Sequence, residues 1–187
     1  MNSARYLFDL GNTRLKFAPL REDGRVREDE IVAVAHDGNT LPDGWNRALP
    51  ARFDAAFLAS VAAPALRVAL LDGLTAHTRR LSLARTQTAC AGVRIAYADP
   101  ATLGVDRFLS VLAAHAREAA PWLIVGIGTA LTLDLLGADG RHHGGRIAPS
   151  PALMREALHA RAAQLPEHSG EFRDFADTTP DALRSGC

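Results

Sequence analysis

The chain has 187 residues, equal numbers of acidic and basic side chains (21 each) and a hydrophobic fraction of 48%. That length supports a sizeable core in one domain or two small ones, and the balanced charge argues against nucleic acid or a membrane as a partner. It also has no apolar run near the ~20 residues that span a bilayer, no secretory signal and too few cysteines for a disulfide framework, so we expect a cytoplasmic protein.

The first predicted element is a β-hairpin near the N-terminus. Apolar runs at residues 6–8 and 15–18 flank a Gly-Asn-Thr turn, a pattern typical of a tight hairpin. The hairpin carries a carboxylate at Asp9 before the turn and an ammonium at Lys16 after it. Turn N–H groups can hold an anion, and Asp9 could bind Mg²⁺ directly or through water. An ordinary solvated hairpin explains the same residues, so this stretch alone leaves both interpretations open.

The next hundred residues predict further strands and helices. We expect a third antiparallel strand at residues 25–34, a loop at 36–50 and a buried strand at 55–61. Pro64 then begins a helix. The apolar side of that helix is predicted to consist of Leu66, Leu70, Leu71 and Leu74. Alternating strands and helices after three strands predict an α/β fold with a mixed sheet and covering helices.

A shaped loop containing Pro100 and Gly104 follows a short strand predicted at residues 94–97. A helix is expected next, with an apolar face formed by Leu109, Leu112, Ala113 and Ala116. Asp106 would lie at or near the start of this helix, where a carboxylate is a favoured cap. The functional alternative is that Asp106 is a base and that the guanidinium of Arg107 binds an anionic substrate.

A second turn rich in glycine and hydroxyl groups is predicted at residues 126–130, between strands at 122–125 and 131–136. Thr129 supplies its hydroxyl, and Asp134 could help hold a metal or a water. Two such hairpins facing each other could bind a triphosphate from both sides. An ordinary hairpin again explains the same residues.

The segment that follows contains two adjacent histidines and two adjacent glycines. His142 and His143 would point to opposite faces of a strand, so we favour a solvated turn over a metal site. Gly144 and Gly145 indicate close backbone packing or close approach of a ligand. A helix is expected to begin near Ser150, before Pro151.

Taken in order, these motifs resemble the type III pantothenate kinase family of the actin-like superfamily, which includes sugar kinases, acetate kinase and heat-shock chaperone ATPases. The motifs are Asp-x-Gly-Asn-Thr-x-x-Lys at residues 9–16, Gly-x-Asp-Arg at 104–107, Gly-Thr-Ala-x-Thr-x-Asp at 128–134 and Gly-Gly-x-Ile-x-Pro at 144–149. The resemblance covers essentially the whole chain. It implies an α/β fold of two ribonuclease-H-like domains with mixed sheets, at residues 1–120 and 121–187, the second incomplete.

The resemblance also implies a function, which is ATP-dependent phosphorylation of the primary hydroxyl of pantothenate. The product is 4′-phosphopantothenate, in the first committed step toward coenzyme A. ATP, Mg²⁺ and pantothenate are the implied ligands, in a homodimer whose pantothenate pocket is completed near the subunit interface. The alternatives are another small-molecule kinase of the superfamily, an accessory factor for transcription, or an inactive copy.

Site residues follow from the matched motifs. Asp106 would accept the hydroxyl proton, and Asp9 would organise Mg²⁺ indirectly, through water. The implied ATP-binding residues are Asp9, Leu10, Gly11, Asn12, Thr13, Arg14, Leu15, Lys16 and, from the opposite domain, Thr129. The implied pantothenate-binding residues are Tyr97, Gly104, Val105, Asp106, Arg107 and Thr179, with Arg107 facing the carboxylate.

Two features depart from the family pattern. Members usually carry an aspartate two residues before Gly-Thr that binds potassium or ammonium, and this chain has Gly126 there. A requirement for a monovalent cation is therefore in question, unless Asp134 or backbone carbonyls replace that aspartate. Members also continue for several tens of residues beyond the segment that matches Ser185 and Gly186. We therefore expect a truncated product with exposed apolar surface.

Overall fold

The computed structural model describes residues 4–162, 164–166 and 169–187. A five-stranded sheet is formed by β1 (Arg5–Leu10), β2 (Arg14–Leu20), β3 (Val32–Ala35), β4 (Ala55–Ser60) and β5 (Leu81–Leu83). The strands lie in the order β3-β2-β1-β4-β5. Strand β2 is antiparallel to β1 and β3, whereas β4 is parallel to β1 and β5. The mixed sheet predicted from the sequence is therefore confirmed.

One face of this sheet packs on helix α1 (Pro64–Thr75), which connects β4 to β5. The helix begins at a proline. Proline has no backbone N–H, and none is needed there because an N–H in the first turn has no acceptor within the helix. Leu66, Leu70 and Leu74 recur at helical spacing and are fully buried against Phe8 and other side chains of the sheet. Burial of these side chains provides the main core of the structure.

The opposite face of the same sheet carries the charged residues of the hairpin. Asp9 pairs directly with Lys16 across β1 and β2, and the turn closes with a hydrogen bond from Gly11 N to Arg14 O at 3.0 Å. Because side chains alternate along a strand, Asp9 and Lys16 point away from the core that holds Phe8. The predicted hairpin is confirmed.

The second half of the described chain contains a short ribbon, a second sheet and three helices. In chain order the elements are β6 (Ala89–Cys90), β7 (Val93–Arg94), α2 (Val105–Arg117), β8 (Trp122–Ile127), β9 (Ala130–Leu136), β10 (His142–Pro149), α3 (Pro151–Arg161) and α4 (Thr179–Gly186). Strands β10, β9 and β8 form an antiparallel sheet in that order. Helix α2 packs on β8 and β9 and also contacts β4, so it connects the two sheets.

The outer face of the second sheet is apolar and open. Leu123 and Leu135 are neighbours across β8 and β9 and are 63% and 49% exposed, and Ile127 is 79% exposed. None of the helices in the described parts of the chain has the length and apolar character that a membrane span requires.

Two predicted strands are shorter than expected. Strand β3 pairs with β2 only from Val32, because Glu28, Asp29 and Glu30 form a 3-10 turn instead. Acidic residues are poor strand formers, and the Arg27 guanidinium binds the Asp29 carboxylate here. The strand predicted at residues 94–97 ends at Arg94.

Of the predicted apolar face of α2, only Leu112 is confirmed. It is half-buried and packs on the core, whereas the other three predicted residues are exposed. The buried side chains are Val105, Phe108, Val111 and Ala114, together with Arg107. Leu109 is 38% exposed, and the Ala113 and Ala116 positions are also exposed. The helix has apolar residues on two sides, and the stripe that begins at Val105 faces β8 and β9 while Leu109 faces the open side of the first sheet.

We expect Leu70→Ala to lower the free energy of unfolding by about 2–5 kcal/mol, because it leaves a cavity beneath the first sheet. Val68, on the same helix, is 54% exposed. Val68→Ala is therefore the matched control and should change the free energy of unfolding by less than about 0.5 kcal/mol. Urea denaturation measures both, and equal effects would contradict the assignment of the core.

Candidate active site

A cleft of about 670 Å³ lies between the β1-β2 turn and the β8-β9 turn. The hairpin side is formed by Asp9, Gly11, Asn12, Thr13, Arg14 and Lys16. The opposite side is formed by residues of the second turn, Gly126, Ile127, Gly128, Thr129 and Ala130, and by Ser150, Ala152, Leu153 and Glu156 at the start of α3. Asp106 lies at the cleft from the first turn of α2.

The two turns touch across this cleft. Thr13 Oγ1 and Thr129 Oγ1 form a hydrogen bond of 3.2 Å, in which either hydroxyl donates. The residues are 116 positions apart in the chain, so this contact brings together two motifs that only the fold can join. It places both glycine-hydroxyl turns around one space, as the sequence predicts.

Two carboxylates and one ammonium meet at the hairpin side of the cleft. Partial burial raises the pKa of Asp9, the Lys16 ammonium lowers it, and repulsion from Asp106 raises it further, so the net shift is upward. Although Asp9 remains accessible along the cleft, its carboxylate has lost part of its hydration against the sheet. Such a site favours a bound cation, because a cation relieves the repulsion between the carboxylates.

Asp106 lies in the first turn of α2 but does not cap it. The N-cap position is Gly104, and Asp106 Oδ1 instead accepts a hydrogen bond from the backbone N–H of Arg107 at 2.8 Å. A Cβ at Gly104 would lie 2.6 Å from the same oxygen, so the glycine leaves room for the carboxylate to fold over the helix N-terminus. The positive end of the helix dipole attracts a carboxylate at this position.

Arg107 is buried and ion-paired. Its Nε donates to Asp134 Oδ2 at 2.8 Å, and its Nη2 donates to Asp134 Oδ1 at 2.6 Å. These bonds raise the pKa of Arg107 above its ordinary value, although burial alone would lower it. We predicted that Asp134 could hold a metal or a water. It is 2% exposed and both of its oxygens accept hydrogen bonds from the protein, which favours a structural role for this carboxylate instead.

Tyr97 and His142 complete this buried group. The Tyr97 hydroxyl accepts a hydrogen bond from Arg107 Nη1 at 3.3 Å. The rings of Tyr97 and His142 are nearly parallel, at 4° with centroids 6.1 Å apart. His142 is 1% exposed and lies 3.0 Å from Asp134 Oδ1, so the solvated turn predicted for this histidine is wrong. Close packing in this region is indicated in the sequence by the adjacent glycines Gly144 and Gly145.

At Gly126, where the sequence resemblance would place a cation-binding aspartate, the Thr132 side chain takes the space that a larger residue would need. A Cβ at Gly126 would lie 2.5 Å from Thr132 Oγ1, so a carboxylate does not fit there without movement of Thr132. Within residues 4–162, 164–166 and 169–187, no three His, Cys, Asp or Glu side chains cluster as metal ligands.

Several predicted site residues do not line the cleft. Leu10 and Leu15 are fully buried in the core, so only their backbone could contact a nucleotide. Val105 is buried beneath α2, and Thr179 is exposed at the first position of α4. Arg107 and Tyr97 lie behind Asp106 in the buried group, not in the cleft wall.

A second cavity of about 670 Å³ lies on the open face of the first sheet. Its walls are mainly apolar and include Leu7, Phe57 and Leu109, and Asp9, Lys16 and Asp106 lie at its border with the cleft. The two carboxylates and the lysine therefore stand between a polar space and an apolar one.

Comparison with known proteins identifies relatives across nearly the whole chain. The family model for type III pantothenate kinase matches residues 6–187. A type III pantothenate kinase from Stenotrophomonas maltophilia is 54% identical over 182 residues, which are 97% of this chain and 73% of that protein. Another from Xanthomonas campestris is 53% identical over 184 residues, 98% of this chain and 74% of that one.

Solved structures with this fold are more distant. A protein from Campylobacter jejuni, described as a Baf family transcriptional activator, superposes with a TM-score of 0.61 at 18% identity, over 97% of this chain and 72% of that one. A protein from Sinorhizobium meliloti, described as a 2-dehydro-3-deoxygalactonokinase, gives a TM-score of 0.50 at 17% identity, over 86% of this chain and 58% of that one. At these identities the likeness concerns the fold alone.

We expect Asp9→Asn to raise the melting temperature at pH 7. Because the pKa of Asp9 is raised in the folded state, ionisation of this carboxylate opposes folding at neutral pH. The penalty disappears below the unfolded-state pKa of about 3.9, so the melting temperatures of variant and parent should converge as the pH falls toward that value. Thermal denaturation across this pH range measures the difference.

Asp37 is the control of opposite sign for that experiment. Backbone N–H groups of Thr40 and Asn39 bind its carboxylate and lower its pKa, so its ionised form stabilises the fold. Asp37→Ala should therefore lower the melting temperature above the unfolded-state pKa, and the loss should shrink as acid protonates the parent carboxylate. A stabilising effect of Asp37→Ala, or none from Asp9→Asn, would contradict the assigned directions.

Proposed function

The chain belongs to the type III pantothenate kinase family, and from this premise we propose that the cleft between its two turns is where ATP phosphorylates the primary hydroxyl of pantothenate. The enzyme is a kinase, and its reaction gives 4′-phosphopantothenate for coenzyme A synthesis. Relatives at 50–54% identity support this activity, so a role in transcription is not favoured.

The observation that carries the assignment of the site is the contact between Thr13 and Thr129. It brings two turns that carry backbone N–H groups and hydroxyls to a cleft that also holds Asp9, Lys16 and Asp106. Such turns favour phosphate oxygens, and the lysine adds a positive charge for them. We assign residues 9–16 and Thr129 to ATP, with Leu10 and Leu15 contributing only backbone groups.

We assign Asp106 as the base. Phosphoryl transfer requires mainly alignment of the two oxygens in line with phosphorus and neutralisation of charge. One oxygen of Asp106 is bound by the N–H of Arg107, which leaves the other to orient the pantothenate hydroxyl and take its proton. An aspartate is a weak base, so it takes that proton late, once bond formation to phosphorus has made the hydroxyl acidic.

Mg²⁺ fits the hairpin side of the cleft. Mg²⁺ is usually held by one or two carboxylates together with substrate phosphates and waters, and Asp9 supplies a carboxylate beside the phosphate-binding turn. The raised pKa of Asp9 supports the same assignment, because a cation would relieve the repulsion that raises it. When bound, Mg²⁺ would neutralise charge on the phosphates.

A carboxylate-bound monovalent cation does not fit this chain. Thr132 Oγ1 fills the space beside Gly126, and Asp134 is committed to Arg107 and His142. Backbone carbonyls are the remaining ligands there, and we derive no step through a monovalent cation.

We propose that the pantothenate carboxylate binds Arg107, the residue after the base. Arg107 is 8% exposed and lies behind the cleft wall, so this contact requires the side chains that cover the guanidinium to move aside. Gly104 and Tyr97 border the same group, and Val105 would contribute backbone. Exposed Thr179, at the start of α4, is available to a partner's pocket in the proposed homodimer. We also propose that the two sheets are the cores of two ribonuclease-H-like domains that meet near residues 120–121. The homodimer and the cytoplasmic location stay predictions.

We expect Asp106→Asn to lower kcat by about 10²–10⁴-fold, because the amide does not accept the hydroxyl proton. Its affinity for ATP should change little, since Lys16 and the two turns remain. A coupled assay of ADP release and calorimetric titration of ATP measure the two effects. Asp72→Asn, on the exposed side of α1, is the charge-matched control. Unchanged turnover in Asp106→Asn would contradict the assignment of Asp106 as the base.

We expect turnover to be nearly independent of potassium. Residue 126 is a glycine, and the carboxylate of Asp134 is bound by Arg107 and His142. Replacing potassium with tetramethylammonium at constant ionic strength should change kcat by less than about twofold. Gly126→Asp should not create a potassium requirement unless Thr132→Ala is added to make room for it. A steep potassium dependence of the parent chain would show that backbone carbonyls alone hold the ion.

A further inference from the structure

A buried chain of polar side chains stands behind the proposed pantothenate site. His142, Asp134 and Arg107 are 1%, 2% and 8% exposed, and hydrogen bonds connect them in that order. They belong to β10, β9 and α2, so the chain runs from the second sheet to the helix that carries Asp106. Burial of three such groups is unfavourable unless each is bonded, so their geometry is tightly specified.

The neighbours of His142 fix its tautomer. The backbone N–H of Ala96 points to His142 Nδ1 at 3.5 Å, which makes Nδ1 an acceptor. The proton therefore lies on Nε2, which donates to Asp134 Oδ1 at 3.0 Å. Asp134 thus receives three hydrogen bonds, one from His142 and two from Arg107.

Arg107 has donors left over. A guanidinium carries five N–H groups, of which two bind Asp134 and one binds the Tyr97 hydroxyl. Among the described residues, one N–H on each terminal nitrogen has no partner. N–H groups on the two terminal nitrogens of a guanidinium can bind the two oxygens of a carboxylate. Asp134 and Tyr97 thus determine which edge of the guanidinium is offered to a ligand.

The backbone of β10 covers this pair closely. A Cβ at Gly145 would collide with Arg107 Nη2, Asp134 Oδ1 and Leu133 O. A bare backbone at residue 145 is therefore needed for Arg107 to reach Asp134, which leaves the arginine no alternative orientation on that side.

We infer that Asp134 and His142 are positioning residues that hold Arg107 for the carboxylate of pantothenate. The inference rests on the proposed contact between Arg107 and that carboxylate. Neither residue touches substrate. Asp134 orients the guanidinium, and His142 holds Asp134 by donating from Nε2 while its ring packs against Tyr97.

Three substitutions of His142 separate the hydrogen bond from packing. His142→Phe keeps the ring beside Tyr97 and removes the donor. His142→Gln places an amide donor near the Nε2 position, and His142→Asn is a polar side chain too short to reach Asp134. We expect His142→Phe and His142→Asn to raise the KM for pantothenate by roughly tenfold, with the KM for ATP within about twofold of the parent value. We expect His142→Gln to keep most of the parent's affinity for pantothenate.

A pantothenate analogue with a primary alcohol in place of the carboxylate completes the test. The parent should bind it roughly tenfold or more weakly than pantothenate, and His142→Phe should bind the two compounds nearly equally. Equal use of both compounds by the parent would overturn the carboxylate contact, while phosphorylation of pantothenate would still support the proposed function. If the parent discriminates and His142→Phe does so equally well, the positioning role is overturned instead.

A merely structural role is distinguished by stability. It would lower the melting temperature and raise both KM values together, and His142→Gln would not differ from His142→Asn. If His142→Phe does not fold, the comparison of His142→Gln with His142→Asn on both compounds carries the test. Equal behaviour of those two variants would overturn the inference.

Discussion

The buried ion pair between Arg107 and Asp134 is the constraint on which the site depends. Its two members come from α2 and β9, so the pair fixes the helix that carries Asp106 against the sheet that carries the second turn. Removing one partner of a buried pair typically costs about 3–5 kcal/mol, because the other charge is left without compensation. Two N–H groups of the same guanidinium have no partner in the described part of the chain, so one side chain could provide both structural support and the proposed ligand contact.

At the hairpin side of the cleft, the charges destabilise the fold. Asp9 and Asp106 repel each other and Asp9 is partly desolvated, so this arrangement opposes folding at neutral pH. A protein selected only for stability would separate these charges or pair them fully. Their persistence beside the phosphate-binding turn fits a site completed by a nucleotide and its cation. Asp134 accepts three hydrogen bonds from the protein. The charge of Asp9 is offset in part by Lys16, and a cation bound with the nucleotide would offset it further.

The local features of the fold could be predicted from the sequence, because they depend on residues that are close together in the chain. The hairpin, the proline-led helices and both glycine-hydroxyl turns follow from turn chemistry and short-range periodicity. The buried side of α2 could not be predicted in this way, because apolar residues lie on two of its sides. Only the packing against the sheets selects Val105 and Phe108 over Leu109. The role of His142 depends on a contact with Asp134 across two strands and with Tyr97 from a distant loop. Spacing in the chain does not encode such contacts, although the neighbouring glycines indicated crowding.

The hydrogen bond between Thr13 and Thr129 has a thermodynamic consequence. Because the two exposed hydroxyls are bonded to each other, a phosphate oxygen that binds either of them first replaces this bond. One hydrogen bond is then exchanged for another, so the hydroxyls add less to nucleotide affinity than their position in the cleft suggests.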